Sequence, residues 1–281
     1  MIISESELII NPDGSIYHLN LRPGDVAEDI ITVGDPDRVD IIASYFDEIY
    51  LTKQNREFKT VTGKYRDKGL SVIATGIGTD NIDIVINEID SLFNIDFNTR
   101  TINEKKKSVN FYRIGTSGTI RKDISIDSYI ISQYACGIDG LLQHYDSNSV
   151  RIDELESMVT NNTNIASCYA TKVSPELLAK FIDIASPGIT ITANGFYGPQ
   201  GRSLRLSPMT NVSKQTEGLI FRNLRFTNLE METAGIYGLS RLLGHKAVSL
   251  NAILANRVTG EFSSQPHKTI QNLIELTLER I

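Results

Sequence analysis

The stretch Asp29–Arg38, DIITVGDPDR, sets the reading of the chain. Asp29–Val33 (DIITV) is a short β-branched run, the composition of a strand, and the Gly-Asp-Pro-Asp that follows punctuates it. Beyond it, Arg38–Phe46 places Val39, Ile42, Ala43 and Phe46 at helical spacing. The same passage from strand through glycine to helix recurs downstream. Leu70–Ala74 (LSVIA) ends in Thr75–Asn81 (TGIGTDN), and Ile82, Val85, Ile86 and Ile89 then mark one helix face. Asn110–Ile114 (NFYRI) leads into Gly115–Gly118 (GTSG), which reads as a third strand-to-turn signal. Tyr129–Gln133, Ile189–Thr192 and Ala247–Leu254 are further strands by composition, and Glu176–Ile184 and Thr233–Leu243 read as helices. A last helix starts near His267, with Leu273, Ile274 and Leu278 facing inward. Asn98–Lys107 and Asp146–Asn164 carry the weakest patterns, and Lys105–Lys107 reads as a solvated loop. No repeat or linker divides the chain. The expectation is an α/β fold, one domain over residues 1–281, with a central mixed β-sheet flanked by helices.

Composition agrees and excludes alternatives. The 281 residues are 41% hydrophobic and 22% charged, a soluble globular balance that rules out collagen, coiled coil and disordered tracts. The net charge of −6 implies no basic face, so no nucleic-acid partner is expected and any anion site must be built from a few arginines. Cys136 and Cys168 lie far apart, outside any CxxC or Cys/His cluster, and read as small buried apolar residues. The N-terminal MIISESELIINPDGS lacks a cationic patch followed by an apolar run, so no signal peptide is read. No window approaches a membrane span, and a cytoplasmic location is expected.

Three glycine-containing segments, Gly34–Arg38, Thr75–Asn81 and Gly115–Gly118, sit at the C-terminal ends of the first three strands, where open α/β sheets bind ligands. Glycine lets backbone amides approach an anion, and a following helix start adds partial positive charge. Neither GxGxxG nor GxxxxGK[ST] occurs, which argues against dinucleotide and Walker-type sites. Arg38 follows Gly34 by four residues, Arg113 precedes GTSG with its Thr116 and Ser117 hydroxyls, and Arg56 sits in NREF. Guanidinium groups beside a backbone nest and a hydroxyl suit phosphate. Asn228–Ala234 (NLEMETA) puts Glu230 and Glu232 where a strand gives way to a helix, in otherwise small and apolar surroundings. A carboxylate there needs partners, and sugar hydroxyls are natural ones.

Taken in order and spacing, GDPDR, TGIG, RIGTSG and EMETA resemble the nucleoside phosphorylase family of the uridine phosphorylase type, over about His18 to Thr259. The resemblance implies a nucleoside phosphorylase-like fold and a reversible phosphorolysis of uridine to uracil and ribose 1-phosphate. Phosphate would be held by Gly34, Arg38, Arg113 and Thr116, joined by Arg56 from a neighbouring subunit. The ribose would meet Glu232, Met231 and Thr116, with His18 of YHLNL reaching across the dimer to the 5′-hydroxyl. In TANGFYGPQGR, Phe196 would stack on the base while Gln200 and Arg202 read the uracil edge, beside Ser117 and Gly118. Arg113, Gln200, Arg202 and Glu232 would carry the catalysis. Phosphate is then a co-substrate, no other cofactor is called for, and the partner is a second copy of the chain, as a dimer or a hexamer of dimers.

The sequence departs from the family pattern at three places. Gly198-Pro199 inverts the usual Pro-Gly before the glutamine, and Ala255 replaces a larger branched residue of the base pocket. Glu57 and the Ile77 carbonyl match a monovalent-cation site, implying potassium, but Asn81 stands where bacterial relatives have serine. Purine-cleaving relatives place an acid near the strand end corresponding to Leu254–Thr259 (LANRVT), and none occurs here, which favours a pyrimidine. A purine nucleoside phosphorylase, a nucleosidase using water, and a non-catalytic nucleoside or phosphate sensor are the competing readings.

Overall fold

The computed structural model describes residues 2–281, which form two compact units, residues 2–112 with Leu243–His245, and Arg113–Leu242 with Lys246–Ile281. In the first unit β1 (Asp29–Val33) and α1 (Pro36–Ala43) are followed by β2 (Glu48–Asn55), β3 (Phe58–Tyr65), β4 (Lys68–Ala74) and α2 (Thr79–Asn94). β1 pairs in parallel with β4, and β4, β3 and β2 run antiparallel. A short ladder joins β5 (Ile95–Asp96) to β6 (Thr101–Ile102). Asp35 caps α1, its side chain accepting from the Asp37 N–H at 3.0 Å, and Pro36 follows at the first helical position. The helix therefore begins two residues before Arg38 and ends at Ala43, short of Phe46.

β7 (Asn110–Thr119) carries the chain into the second unit. There follow β8 (Tyr129–Gly137), α3 (Asp153–Asn162), β9 (Tyr169–Lys172), α4 (Pro175–Phe181), β10 (Ser186–Thr192), α5 (Val212–Gln215), β11 (Ile220–Phe221), β12 (Leu224–Glu230), α6 (Thr233–Leu242), β13 (Lys246–Asn256), β14 (Glu261–Phe262) and α7 (Pro266–Leu278). β8, β10 and β12 are parallel neighbours, β13 is antiparallel to β8, and the strand order places β7 beside β13. β12 also pairs antiparallel with β7, Asn228 with Thr119 and Leu229 with Gly118, so β7, β13, β8, β10 and β12 close into a ring. An apolar cluster of Cys136, Cys168, Leu155, Val159, Ile189, Ile191, Phe226 and Leu229 packs α3 against β8–β10. Burial pushes the Cys168 thiol up to about 12. No helix among the described residues is long and apolar enough to cross a membrane.

The α/β class and the mixed, helix-flanked strands expected from the sequence are present in each unit. Two local expectations are corrected. GTSG is not a turn: the ladder to β12 carries β7 through Thr119. Asp146–Asn164 is not unstructured, because it contains α3, whose Leu155 and Val159 are buried. The β2–β3 and β3–β4 hairpins gave no warning in sequence. Their turns hold Arg56, and Arg66 with Asp67, at positive φ where glycine or asparagine would be usual.

Close packing of the first unit rests on Gly63 in β3. A Cβ there would overlap the Glu48 carbonyl and meet the Phe46 ring at 2.7 Å. Gly63→Ala is expected to destabilise the protein by roughly 1–3 kcal/mol, as overpacking does. Urea unfolding monitored by circular dichroism measures it, and an unchanged midpoint would show that the hairpin relaxes freely.

Candidate active site

The second unit buries a charged cluster at the start of α6. Arg113 of β7 lies between Glu230 and Glu232, its Nη2 at 3.0 Å from Glu230 Oε2 and donating to Glu232 Oε2 at 2.5 Å. All three side chains are under a tenth exposed. Burial opposes the guanidinium charge, but the carboxylates of Glu230 and then Glu232 override it and hold Arg113 above its ordinary range. Gly115 is the space this needs, since a Cβ there would overlap the guanidinium. Glu230 is structural as well as electrostatic. It accepts from the backbone N–H groups of Glu232 at 3.0 Å and Thr233 at 2.9 Å, from Thr233 Oγ1 at 2.8 Å, and from Thr192 Oγ1 at 2.5 Å. Those N–H groups open α6, where helices leave donors unpaired and favour negative charge. Glu232, by contrast, meets Arg113 through Oε2. Met231, half-buried, lies between the two acids, and Thr116 and Ser117 are half-buried on β7.

A second constellation surrounds the turn Gly198–Gln200. Gln200 is buried, and Arg202 donates to its Oε1 and, at 2.7 Å, to the Phe196 carbonyl. The Arg202 guanidinium sits 3.7 Å from the Phe196 ring centroid. Arg257 donates to the Gln200 carbonyl at 2.6 Å, and its stem runs against Gly118 beside Ala255. Arg202 is pushed down to about 10, by burial first and by the Arg257 charge second, and burial lowers Arg257 too. Unlike Arg113, these arginines draw no carboxylate into the causes of their shifts. They leave local positive charge directed at whatever the loop binds. Arg257 was not singled out in sequence, although LANRVT contains it.

In the first unit Gly34 and Gly76 approach each other, a Cβ on Gly34 lying 3.5 Å from the Gly76 carbonyl, so GDPDR and TGIG form adjoining turns. Arg38 is half-buried in the first turn of α1. The segment Tyr17–Leu19 docks against α2 and the β2–β3 hairpin. Glu88 accepts from the backbone N–H groups of His18 and Leu19 and pairs with His18 Nδ1 at 2.6 Å. Asn55 Nδ2 donates to the His18 carbonyl at 2.8 Å, and the Arg56 guanidinium lies 5.7 Å from the Tyr17 ring centroid. The two residues expected to serve a neighbouring subunit, His18 and Arg56, are thus grouped around Tyr17. Glu57 and Asn81 flank Gly76, and Asn81 turns its amide nitrogen toward the Ile77 carbonyl at 3.5 Å. A donor facing that carbonyl does not suit a cation, which needs converging oxygens. Among the described residues no group of three or more acidic, histidine or cysteine side chains could hold a metal ion.

The second unit thus holds an arginine clamped by two carboxylates at a strand-to-helix junction, and a loop that gathers a buried amide, a guanidinium and an aromatic ring. The family model of the phosphorylase superfamily matches residues 28–280, and the chain belongs to that superfamily. It is similar to the uridine phosphorylase of Thermococcus kodakarensis, with 30% identity over 91% of this chain and 83% of that protein. It is 27% identical to a DeoD-type purine nucleoside phosphorylase of Caldanaerobacter subterraneus, over 93% of this chain and 98% of that one. The solved Trypanosoma brucei nucleoside phosphorylase, described as showing uridine phosphorylase activity, superposes with a TM-score of 0.88 at 27% identity, covering 97% of this chain and 98% of that one.

Removing one partner of a buried, paired charge typically costs about 3–5 kcal/mol. Glu230→Ala leaves Arg113 with Glu232 as its one carboxylate partner and orphans the N–H groups that open α6, so a loss of that size is expected in denaturant unfolding. A change below about 1 kcal/mol, the range of an exposed pair, would mean that the cluster is solvated.

Proposed function

We propose that the protein catalyses the reversible phosphorolysis of uridine to uracil and ribose 1-phosphate. The observation that carries this reading is the loop constellation of Gln200, Arg202 and Phe196. A buried amide, its Oε1 bonded by an arginine that lies over an aromatic ring, gathers in one loop the groups that suit the edge and face of a polar ring. The uridine phosphorylase relatives support it.

In this reading Phe196 stacks on the base, Gln200 and Arg202 read its edge beside Ser117 and Gly118, Glu232 and Met231 hold the ribose, and Arg113 and Thr116 hold phosphate. The C1′–N1 bond breaks with its electron pair going to the base. Arg202, Arg257 and Gln200 stabilise the negative charge that develops there, a preorganised effect for which one donor is worth on the order of 2.7–4 kcal/mol. A phosphate oxygen forms the new bond to C1′ from the opposite face, and the proton of hydrogen phosphate ends on the uracil. Phosphate is the co-substrate, and no further cofactor enters the steps. His18 and Arg56 complete the site of a second copy of the chain, in a dimer or a hexamer of dimers. A cytoplasmic location fits salvage of free nucleosides.

The DeoD-type relatives favour a purine reading, but the strand end where an acid would be needed speaks against it. Asn256 Nδ2 donates to the carbonyls of Arg121 and Ile124, each at 3.0 Å, and its Oδ1 accepts from the N–H groups of Val258 and Thr259. That amide closes the turn after β13 and offers a purine no proton.

Uridine and inosine are to be compared side by side, with and without phosphate. Uridine turnover that requires phosphate is expected, with inosine poor. Gln200→Ala should lower kcat/KM for uridine by roughly tenfold to a hundredfold, since each unpaired buried polar group costs about 1–3 kcal/mol. A preference for inosine would install the purine reading, phosphate-independent cleavage would make the protein a nucleosidase, and binding without turnover would make it a sensor.

A further inference from the structure

The ring of strands in the second unit has a polar interior seam that joins Arg113 to Ser117 through residues the proposed chemistry does not use. Arg113 Nη1 donates to Asn251 Oδ1 of β13 at 3.0 Å and reaches Ser249 Oγ at 3.3 Å. Asn251 Nδ2 donates to Ser132 Oγ of β8 at 3.1 Å. Ser132 is bonded to Thr190 Oγ1 of β10 at 2.6 Å, and Thr190 donates to Asn228 Oδ1 of β12 at 2.9 Å. Asn228 Nδ2 then donates to Ser117 Oγ of β7 at 3.0 Å. Asn251, Ser132, Thr190 and Asn228 are wholly buried.

The directions of the bonds at Asn251 follow from one fact, and those beyond it from the bond that Thr190 gives Asn228. A guanidinium has only donors, so the oxygen of Asn251 must face Arg113 and its nitrogen must face Ser132. Ser132 accepts that bond and gives its own proton to Thr190, whose proton goes to Asn228. The Asn251 amide cannot flip without breaking this run. Arg113 is therefore gripped on both sides, Nη2 by the two acids and Nη1 by an amide of fixed orientation.

We propose that Asn251 is a positioning residue that aims the Arg113 guanidinium at phosphate. It acts through Arg113 and touches no substrate. This rests on the phosphate role given to Arg113 above.

The test is titration calorimetry with inorganic phosphate, together with steady-state KM values for phosphate and uridine. Asn251→Leu, close in volume but without an acceptor, is expected to weaken phosphate binding about tenfold or more, the range for a bond to a charged group. KM for uridine should move less than about threefold, well under that same range. Asn251→Asp retains an acceptor toward Arg113, and phosphate affinity should return to within about threefold of the parent, again less than one such bond. A merely structural role would raise both KM values together and would show no recovery with aspartate. Equal effects on both substrates, or unchanged phosphate affinity in Asn251→Leu, would overturn the proposal. If Asn251→Leu does not fold, Asn251→Ala, which removes the acceptor with less crowding, should weaken phosphate binding selectively, and an unchanged affinity there overturns it as well. Arg113→Ala separates the two levels. If the parent binds phosphate and Arg113→Ala binds it equally well, the phosphate role of Arg113 has failed, and this proposal with it. If Arg113→Ala loses phosphate while the Asn251 variants keep it, only the positioning role has failed.

Discussion

The buried contact of Arg113 with Glu230 and Glu232 is the constraint on which the site depends. A desolvated guanidinium is tolerable only with opposite charge at contact distance and with its donors satisfied. The chain meets this by bringing β7, the end of β12 and the first turn of α6 to one point. Gly115 leaves the volume, and Glu230 ties the helix start to Thr192 of β10. The same arrangement that makes the charge bearable also fixes the orientation of the Glu232 carboxylate.

The arginines divide by environment. Arg113 is held above its ordinary range by carboxylates, whereas Arg202 and Arg257 are lowered by burial and, for Arg202, by a like charge. The first is an anchored group whose partners fix its direction. The others hold uncompensated positive charge around Gln200, which is useful only if negative charge develops beside them. In the proposed reaction this asymmetry is what lets the loop Phe196–Arg202 stabilise the departing base. It also explains why Phe196 stacks against a cation rather than in an apolar core.

Much of the site could be read in the chain because glycine and charge carry strong local signals. GDPDR and TGIG are turns with a helix behind them, and EMET stands at a strand-to-helix junction. GTSG misled for a physical reason. Glycine after a strand suggests a turn, yet here it permits close approach, of Arg113 at Gly115 and of the Arg257 stem at Gly118, inside a continuing strand. The hairpins of β2, β3 and β4 escaped notice because Arg56, Arg66 and Asp67 occupy left-handed backbone that usually announces itself with glycine.

By itself the sequence determined the α/β class, the first strand–turn–helix unit and the identity of the charged residues that gather near the strand ends, because periodicity and turn chemistry act over a few neighbouring residues. It also marked Glu230 and Glu232 as acids in apolar surroundings. Only the tertiary structure decided what each does. Glu230 closes a helix start while Glu232 holds Arg113, Arg257 joins Gln200 from 57 positions away in sequence, and Asn251 meets Arg113 across a separation of 138. The pairing of Arg113 with Asn251 follows from closing the ring of strands, which juxtaposes residues by register across the sheet, and a register between distant strands leaves no trace in the local pattern of either.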